Sequence, residues 1–240
     1  MKTLNYTQPN DSGPGGSGKN DNMETGQGGV TSQITIMGIL RFETASLLGR
    51  TLFRGGPPIV GAGPQMLNLG CGTNRYDGFV NADFYAFRSG LFQKGLWMID
   101  LRYKLKAPSN YWSGVYTEHT LEHLYPLQVL NLLKEVHRTL KPKAWVRVIV
   151  PDVSKYVQYY NGVDSHPLFE RWPYRAEALR NIAQNHFHYS LWDAALMMEY
   201  LKRAGFLNVY ERQFGKGEDH RLIKDSGNRQ WESLYVEAQK

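Results

Sequence analysis

The stretch that most constrains the fold is Gln65-Met66-Leu67-Asn68-Leu69-Gly70-Cys71-Gly72-Thr73-Asn74. A short apolar run ends abruptly in Gly-Cys-Gly. Glycine has no side chain, so a strand running into such a turn brings bare backbone close to a ligand. A second run, Gly78-Phe79-Val80-Asn81-Ala82-Asp83, ends in an acidic residue. A carboxylate at the end of the next strand can accept hydrogen bonds from ribose hydroxyls. The pair points to a nucleotide-type ligand.

Further segments place the turn in an α/β fold. Strands are expected at 65–69, 78–82, Leu96–Ile99, Trp112–Thr117, Trp145–Val150, Leu207–Tyr210 and Leu234–Glu237. In the fifth, Val146, Val148 and Val150 share one face, with Arg147 and Ile149 on the other. Helical spacing covers Leu127–Val136, ended by Pro142, and a stretch from the Ser190-Leu191-Trp192-Asp193 capping signal to Arg203, stopped by Gly205. Strands alternating with helices predict a doubly wound, mostly parallel seven-stranded sheet with helices on both faces. The last two strands have no strong helix between them and predict an antiparallel hairpin at one edge. The interval between the first two is too short for a full crossover helix, so one helical turn or a compact loop with Asn74, Arg75 and Tyr76 is expected.

Residues 1–30 are rich in Gly, Asn, Ser and Asp and are expected to be a disordered tail. Residues 31–64 form an N-terminal helix and linker. There Ile36, Ile39, Leu40, Leu47, Leu48 and Leu52 approximate a helical stripe flanked by arginines, which suits a helix packed on the domain or a peripheral membrane contact through 33–54. Residues 65–240 are expected to form one α/β domain, with an aromatic insertion at about 153–188.

The formal net charge of +6 favours an anionic partner, but the basic residues form no block, so nucleic acid is not expected. Cys71 is the single cysteine, which excludes an intrachain disulfide and suits a reducing cytoplasm. Its place in the turn suits a small packing residue better than a nucleophile. No spanning helix and no secretory leader are expected. His119-Thr120-Leu121-Glu122-His123 matches H-x-x-E-H, a zinc pattern that needs a helix and a third ligand. Here the first His follows a strand candidate, so a strand end and short helix are expected, and no metal.

Leu67–Gly72, Asp83, Glu118–Leu124, Leu140-Lys141-Pro142, Val150-Pro151-Asp152 and Ala204-Gly205-Phe206 together resemble the class I S-adenosylmethionine-dependent methyltransferases, in particular the small ones associated with polysaccharide biosynthesis. The resemblance implies the Rossmann-like methyltransferase fold and S-adenosyl-L-methionine as cofactor. It sets Gly70, Cys71 and Gly72, with Asn68 and Asn74 in the same segment, against the methionine and ribose. It sets Asp83 on the ribose hydroxyls, Asp100 and Leu101 at the adenine, and Glu118 and His119 near the methyl group. Asn68 stands where the family often has an acid, and Asn74 where a third glycine is common.

A hydroxyl acceptor calls for a base. His119, His186 and His188 are candidates, with Asp152 and Tyr189 as helpers; transfer by proximity alone needs none. Tyr156, Tyr159, Tyr160, Trp172 and Tyr174 form either an acceptor wall or a packed lid. The expected function is methyl transfer to an oxygen or nitrogen of a small or glycan-linked acceptor, a sugar or nucleotide sugar first. The alternatives are a lipid or quinone-like acceptor, and a non-catalytic RNA- or partner-binding module with a degenerate cofactor site.

Overall fold

The computed structural model describes residues 35–52, 55–84, 96–163 and 165–240. The expected disordered tail at 1–30 lies outside the described residues. Within them, seven strands form one sheet: β1 (Met66–Leu69), β2 (Phe79–Asp83), β3 (Leu96–Met98), β4 (Gly114–Glu118), β5 (Trp145–Pro151), β6 (Leu207–Arg212) and β7 (Ser233–Gln239). Their order is β3-β2-β1-β4-β5-β7-β6. β1 to β5 run parallel, and β7 is antiparallel to both β5 and β6. The expected mostly parallel sheet with a C-terminal hairpin at one edge is what forms. Strand order reverses between β1 and β4, which opens a crevice at their carboxyl ends.

The helices are α1 (Ile36–Leu52), α2 (Pro126–Thr139), α3 (Val153–Tyr160), α4 (Arg175–Gln184) and α5 (Ala194–Arg203). α2 and α5 cover one sheet face, where Leu67, Val80, Val115, Val146, Val148 and Val236 meet Val129, Leu133, Met197 and Leu201. Each such buried aliphatic side chain contributes about 1.5–3 kcal/mol. The other sheet face carries an apolar cluster of its own. The second apolar cluster joins Met66, Phe79, Tyr116, Ile149 and Tyr235 to Leu222 of the single-turn helix His220–Leu222. That face is covered by the β6–β7 connection, anchored by fully buried Arg147. Its guanidinium pairs with Asp225 and Glu237 and donates to the Lys216 carbonyl at 2.9 Å.

Several boundaries move for local reasons. β4 starts at Gly114, where a Cβ would collide with the Met66 side chain of β1. Trp112 instead makes an isolated parallel bridge with Leu140. That bridge needs Leu140 extended (φ −74, ψ 140), so α2 stops at Thr139, before Pro142 acts. The residue capping α5 is Asp193, which accepts from Leu196 N at 2.8 Å, and not Ser190. The β1–β2 crossover is a compact loop. The insertion holds α3 as well as α4, because Asp152 caps α3 by accepting from Ser154 N at 2.9 Å. Among the described residues no helix is long and apolar enough to cross a membrane.

α1 forms where expected, but its face is reversed. Ala45, Ser46 and Gly49 are buried, whereas Ile36, Leu40, Leu47 and Leu52 are exposed. Small residues let the helix approach the domain closely, and that approach serves a polar contact of Ser46 described below.

Candidate functional site

β1 ends at Leu69, and the chain turns through Gly70 (φ +71) and Gly72 (φ +50). Gly70 N and Cys71 N both donate to the Ala82 carbonyl, at 2.8 and 3.0 Å, so the turn stays fastened to β2. The two glycines serve different needs. A Cβ on Gly70 would collide with the Thr120 side chain, whereas one on Gly72 would meet nothing within 4 Å among the described residues. Gly70 is therefore required by packing, and Gly72 presents bare backbone to open space. Asp83 at the end of β2 accepts the Gly72 amide proton with Oδ2 and the Phe84 amide with Oδ1.

Asn68 is buried beneath the turn. Its Nδ2 donates to the Asn74 carbonyl at 2.8 Å and to Asn81 Oδ1 at 2.9 Å. A carboxylate cannot donate, which explains an amide here. Asn74 closes the loop by donating its amide to the Cys71 carbonyl at 2.8 Å. Burial, and then the Asp83 carboxylate, push the Cys71 thiol up to about 12. The thiol is thus protonated at neutral pH, as expected of a packing residue.

Asp100, just past β3, is buried and committed to protein partners. Oδ2 accepts from Ser46 Oγ of α1 and from Arg102 Nη2 at 2.7 Å; Oδ1 accepts from Arg102 N at 3.0 Å. Burial would raise its carboxyl, but Arg102 and Ser46 outweigh that and hold it below the usual range. Arg102 also pairs with Glu43 of α1. Leu101 packs against the main core. A cavity of about 460 Å³ lies beside this contact, lined by Arg50, Ile99, Asp100, Tyr103 and Leu105 among others.

The chain matches no family model and no curated protein. Among solved structures it is similar to an S-adenosylmethionine-dependent methyltransferase from Archaeoglobus fulgidus, at 16% identity over 86% of this chain and 100% of that one, TM-score 0.49. It is also similar to a possible histamine N-methyltransferase from Thermotoga maritima (14% identity, 83% and 90% covered, TM-score 0.47). A third is an S-adenosylmethionine-dependent methyltransferase from Mesorhizobium loti (18% identity, 80% and 97% covered, TM-score 0.46).

At the end of β4, Glu118 and His119 point to different partners. Glu118 accepts from Ser226 N at 2.9 Å and Ser226 Oγ at 2.6 Å. His119 has φ +47, and its Nε2 lies 2.8 Å from Ser233 Oγ at the start of β7. Its Nδ1 lies 3.0 Å from Arg229 Nη1. Asp152 is the α3 cap, and burial pushes its carboxyl above the usual range. His188 sits apart from His119 in sequence but beside His123, with ring centroids 5.1 Å apart. His186 lies next to His188, at 5.9 Å between rings. Tyr189 stacks on Tyr125 at 4.7 Å.

The aromatic insertion packs as its own core. Tyr156 and Phe169 are buried against Trp172 and Trp231, while Tyr160 and Tyr174 are exposed. Beside it lies a cavity of about 640 Å³ lined by Lys155, Gln158, His166, Phe169, Asn228 and Trp231 among others. Ser46, Arg102, Ser226 and Arg229 escaped the sequence reading. Each meets its partner from a distant segment or beyond the strand-end pattern, and no local periodicity signals that.

Proposed function

We propose that the chain binds S-adenosylmethionine and moves its methyl group to an oxygen or nitrogen of a small or glycan-linked acceptor. The observation that carries this is the Asp83 carboxylate closed on Gly72 N beside an unobstructed glycine backbone, at the crevice where strand order reverses. The residues fit such a ligand. Each Asp83 oxygen takes one backbone proton and keeps a lone pair for a vicinal ribose hydroxyl. Gly72 allows close approach. Asp100, held by Ser46 and Arg102, shapes the adjoining cavity from its wall.

When bound, the sulfonium supplies a methyl carbon for in-line displacement. The chain's share is positioning. The cavity beside Trp231 and Asn228 is proposed for the acceptor, because its lining residues Gly227, Asn228 and Gln230 adjoin in the chain Ser226 and Arg229, the partners of Glu118 and His119. Lys155 and Trp231 suit a sugar hydroxyl cluster and a sugar face. Calorimetry with S-adenosylmethionine tests the reading: micromolar binding by the wild type, lost in Asp83→Ala, is expected. A wild type that binds no methyl donor overturns it. A labelled methyl donor offered with sugar and nucleotide-sugar pools then identifies the acceptor.

A second reading, a lipid-borne acceptor, is favoured by the exposed apolar side chains of α1 on the helix that fastens to Asp100. Co-sedimentation with anionic vesicles, lost in Leu40→Glu/Leu47→Glu, supports it; no association rejects it.

A further inference from the structure

The segment His119–His123 meets the end of the insertion at the carboxyl edge of β4, and backbone hydrogen bonds hold the two together. Tyr189 N and Ser190 N both donate to the Glu122 carbonyl, at 2.7 and 3.2 Å. Ser190 Oγ donates to the Leu121 carbonyl at 3.3 Å. This sets His188 against Glu122 and His123, with one ligand-type atom of each within 4.8 Å of the other two.

Glu122 is 2% exposed, and neither of its carboxylate oxygens has a hydrogen-bond partner among the described residues. His119 Nδ1 comes within 3.4 Å of Oε1 but does not satisfy it. Arg229 Nη1 donates to that same Nδ1, so the nitrogen faces Glu122 with no proton of its own. The other ring nitrogen, Nε2, donates to Ser233 Oγ, whose proton goes to the Arg229 carbonyl at 2.7 Å. A buried carboxylate with no donor is unfavourable unless something cationic completes it.

The two neighbouring histidines are arranged to do that through a metal ion. His188 Nδ1 lies 2.8 Å from the Ile182 carbonyl, which can only accept, so Nδ1 carries the proton and Nε2 is a bare lone pair. His123 Nδ1 approaches the Phe187 carbonyl at 3.4 Å in the same sense. Metal-binding histidines characteristically give their second N–H to such an acceptor. The loop carrying His188 is also strained: His186 and Phe187 hold consecutive left-handed conformations, φ +63 and +58. Such conformations persist where the surroundings over-determine them.

We propose that Glu122, His123 and His188 bind one divalent transition-metal ion. Two imidazole nitrogens and one carboxylate suit zinc, iron(II), cobalt or nickel better than magnesium or calcium, which take mainly oxygen. His123 is exposed, so the ion keeps open positions on the solvent side. The proposal uses Glu122 and His123 of the H-x-x-E-H letters but replaces the first His by His188. Metal binding stands by itself; a role for the ion in anchoring an acceptor oxygen rests on the methyl-transfer reading.

The test uses the full chain, free of any histidine tag and stripped with chelator, titrated with Zn²⁺ and with Co²⁺. One equivalent is expected to bind, with visible cobalt bands of nitrogen–oxygen coordination. His123→Ala, an exposed position that spares the fold, and His188→Ala are each expected to weaken binding at least about tenfold. His220→Ala, an exposed histidine elsewhere, is expected to leave it unchanged. Absence of stoichiometric binding by the wild type, or unchanged affinity in both variants, overturns the proposal. Titration of the same samples with S-adenosylmethionine reads the cofactor separately, so either proposal can fail alone.

Discussion

The Asp83 carboxylate accepts the amide proton of Gly72, so the end of β2 is latched to the last glycine of the turn that follows β1. One side chain thus orders the backbone and faces the crevice. Asp83→Asn keeps the shape but removes the charge and sets an amide N–H toward a donor. Charge-assisted hydrogen bonds contribute about 1.5–3 kcal/mol. S-adenosylmethionine binding is expected to fall about 10- to 100-fold by calorimetry, with circular dichroism unchanged.

Gly70 and Gly72 separate packing from access. Gly72→Ala places a Cβ in open space at positive φ, costing about 1–2 kcal/mol of backbone strain and obstructing the ligand. Gly70→Ala meets Thr120 as well and is expected to lose more stability in urea unfolding. Equal losses in the two variants would remove Thr120 from the explanation.

Arg147 crosses the second sheet face with no exposed surface and pairs with two carboxylates. Arg147→Met leaves the Asp225 side chain buried without its ion-pair partner and Glu237 with Arg212 alone, a loss of about 3–5 kcal/mol. Urea unfolding measures it. Loss of the latch is also expected to make the 213–232 connection sensitive to proteolysis in the native state.

Cys71 carries a pH signature. Its folded thiol is pushed up to about 12 from an ordinary thiol value of 9.0. A raised folded pKa means the native state resists ionisation that the unfolded chain undergoes freely. That contribution is complete below pH 9.0 and is lost as pH rises towards about 12. Stability is expected to decline over this alkaline window, less steeply in Cys71→Ala. Native thiol is also expected to resist alkylation at pH 8, with reactivity appearing on unfolding.

Much of the site's outline is legible in the chain because it rests on strand-end register. Gly70, Gly72, Asp83, Asp100 and Glu118 each follow an apolar run, and parallel pairing carries all five to one edge. What those side chains do there is not legible. Asp100 turns to Ser46, and Glu118 to Ser226, over 54 and 108 positions of sequence. Asn68 reads as a missing acid until its two amide donations are seen.

α1 makes the same point from the opposite side. Its apolar residues suggest an inward stripe, yet Ala45, Ser46 and Gly49 are the ones buried. A helix with apolar residues around most of its circumference has no periodicity that chooses a face, so Asp100 and Arg102 choose it through Ser46 and Glu43. Periodicity and turn chemistry are local, and they determined the strands, the glycine turn and the sheet that sets the crevice. Orientation of polar groups depends on partners contributed by distant segments, so only the tertiary structure decided that Arg147 anchors the β6–β7 connection, and that His188 meets Glu122 and His123 at a buried carboxylate that accepts no hydrogen bond among the described residues.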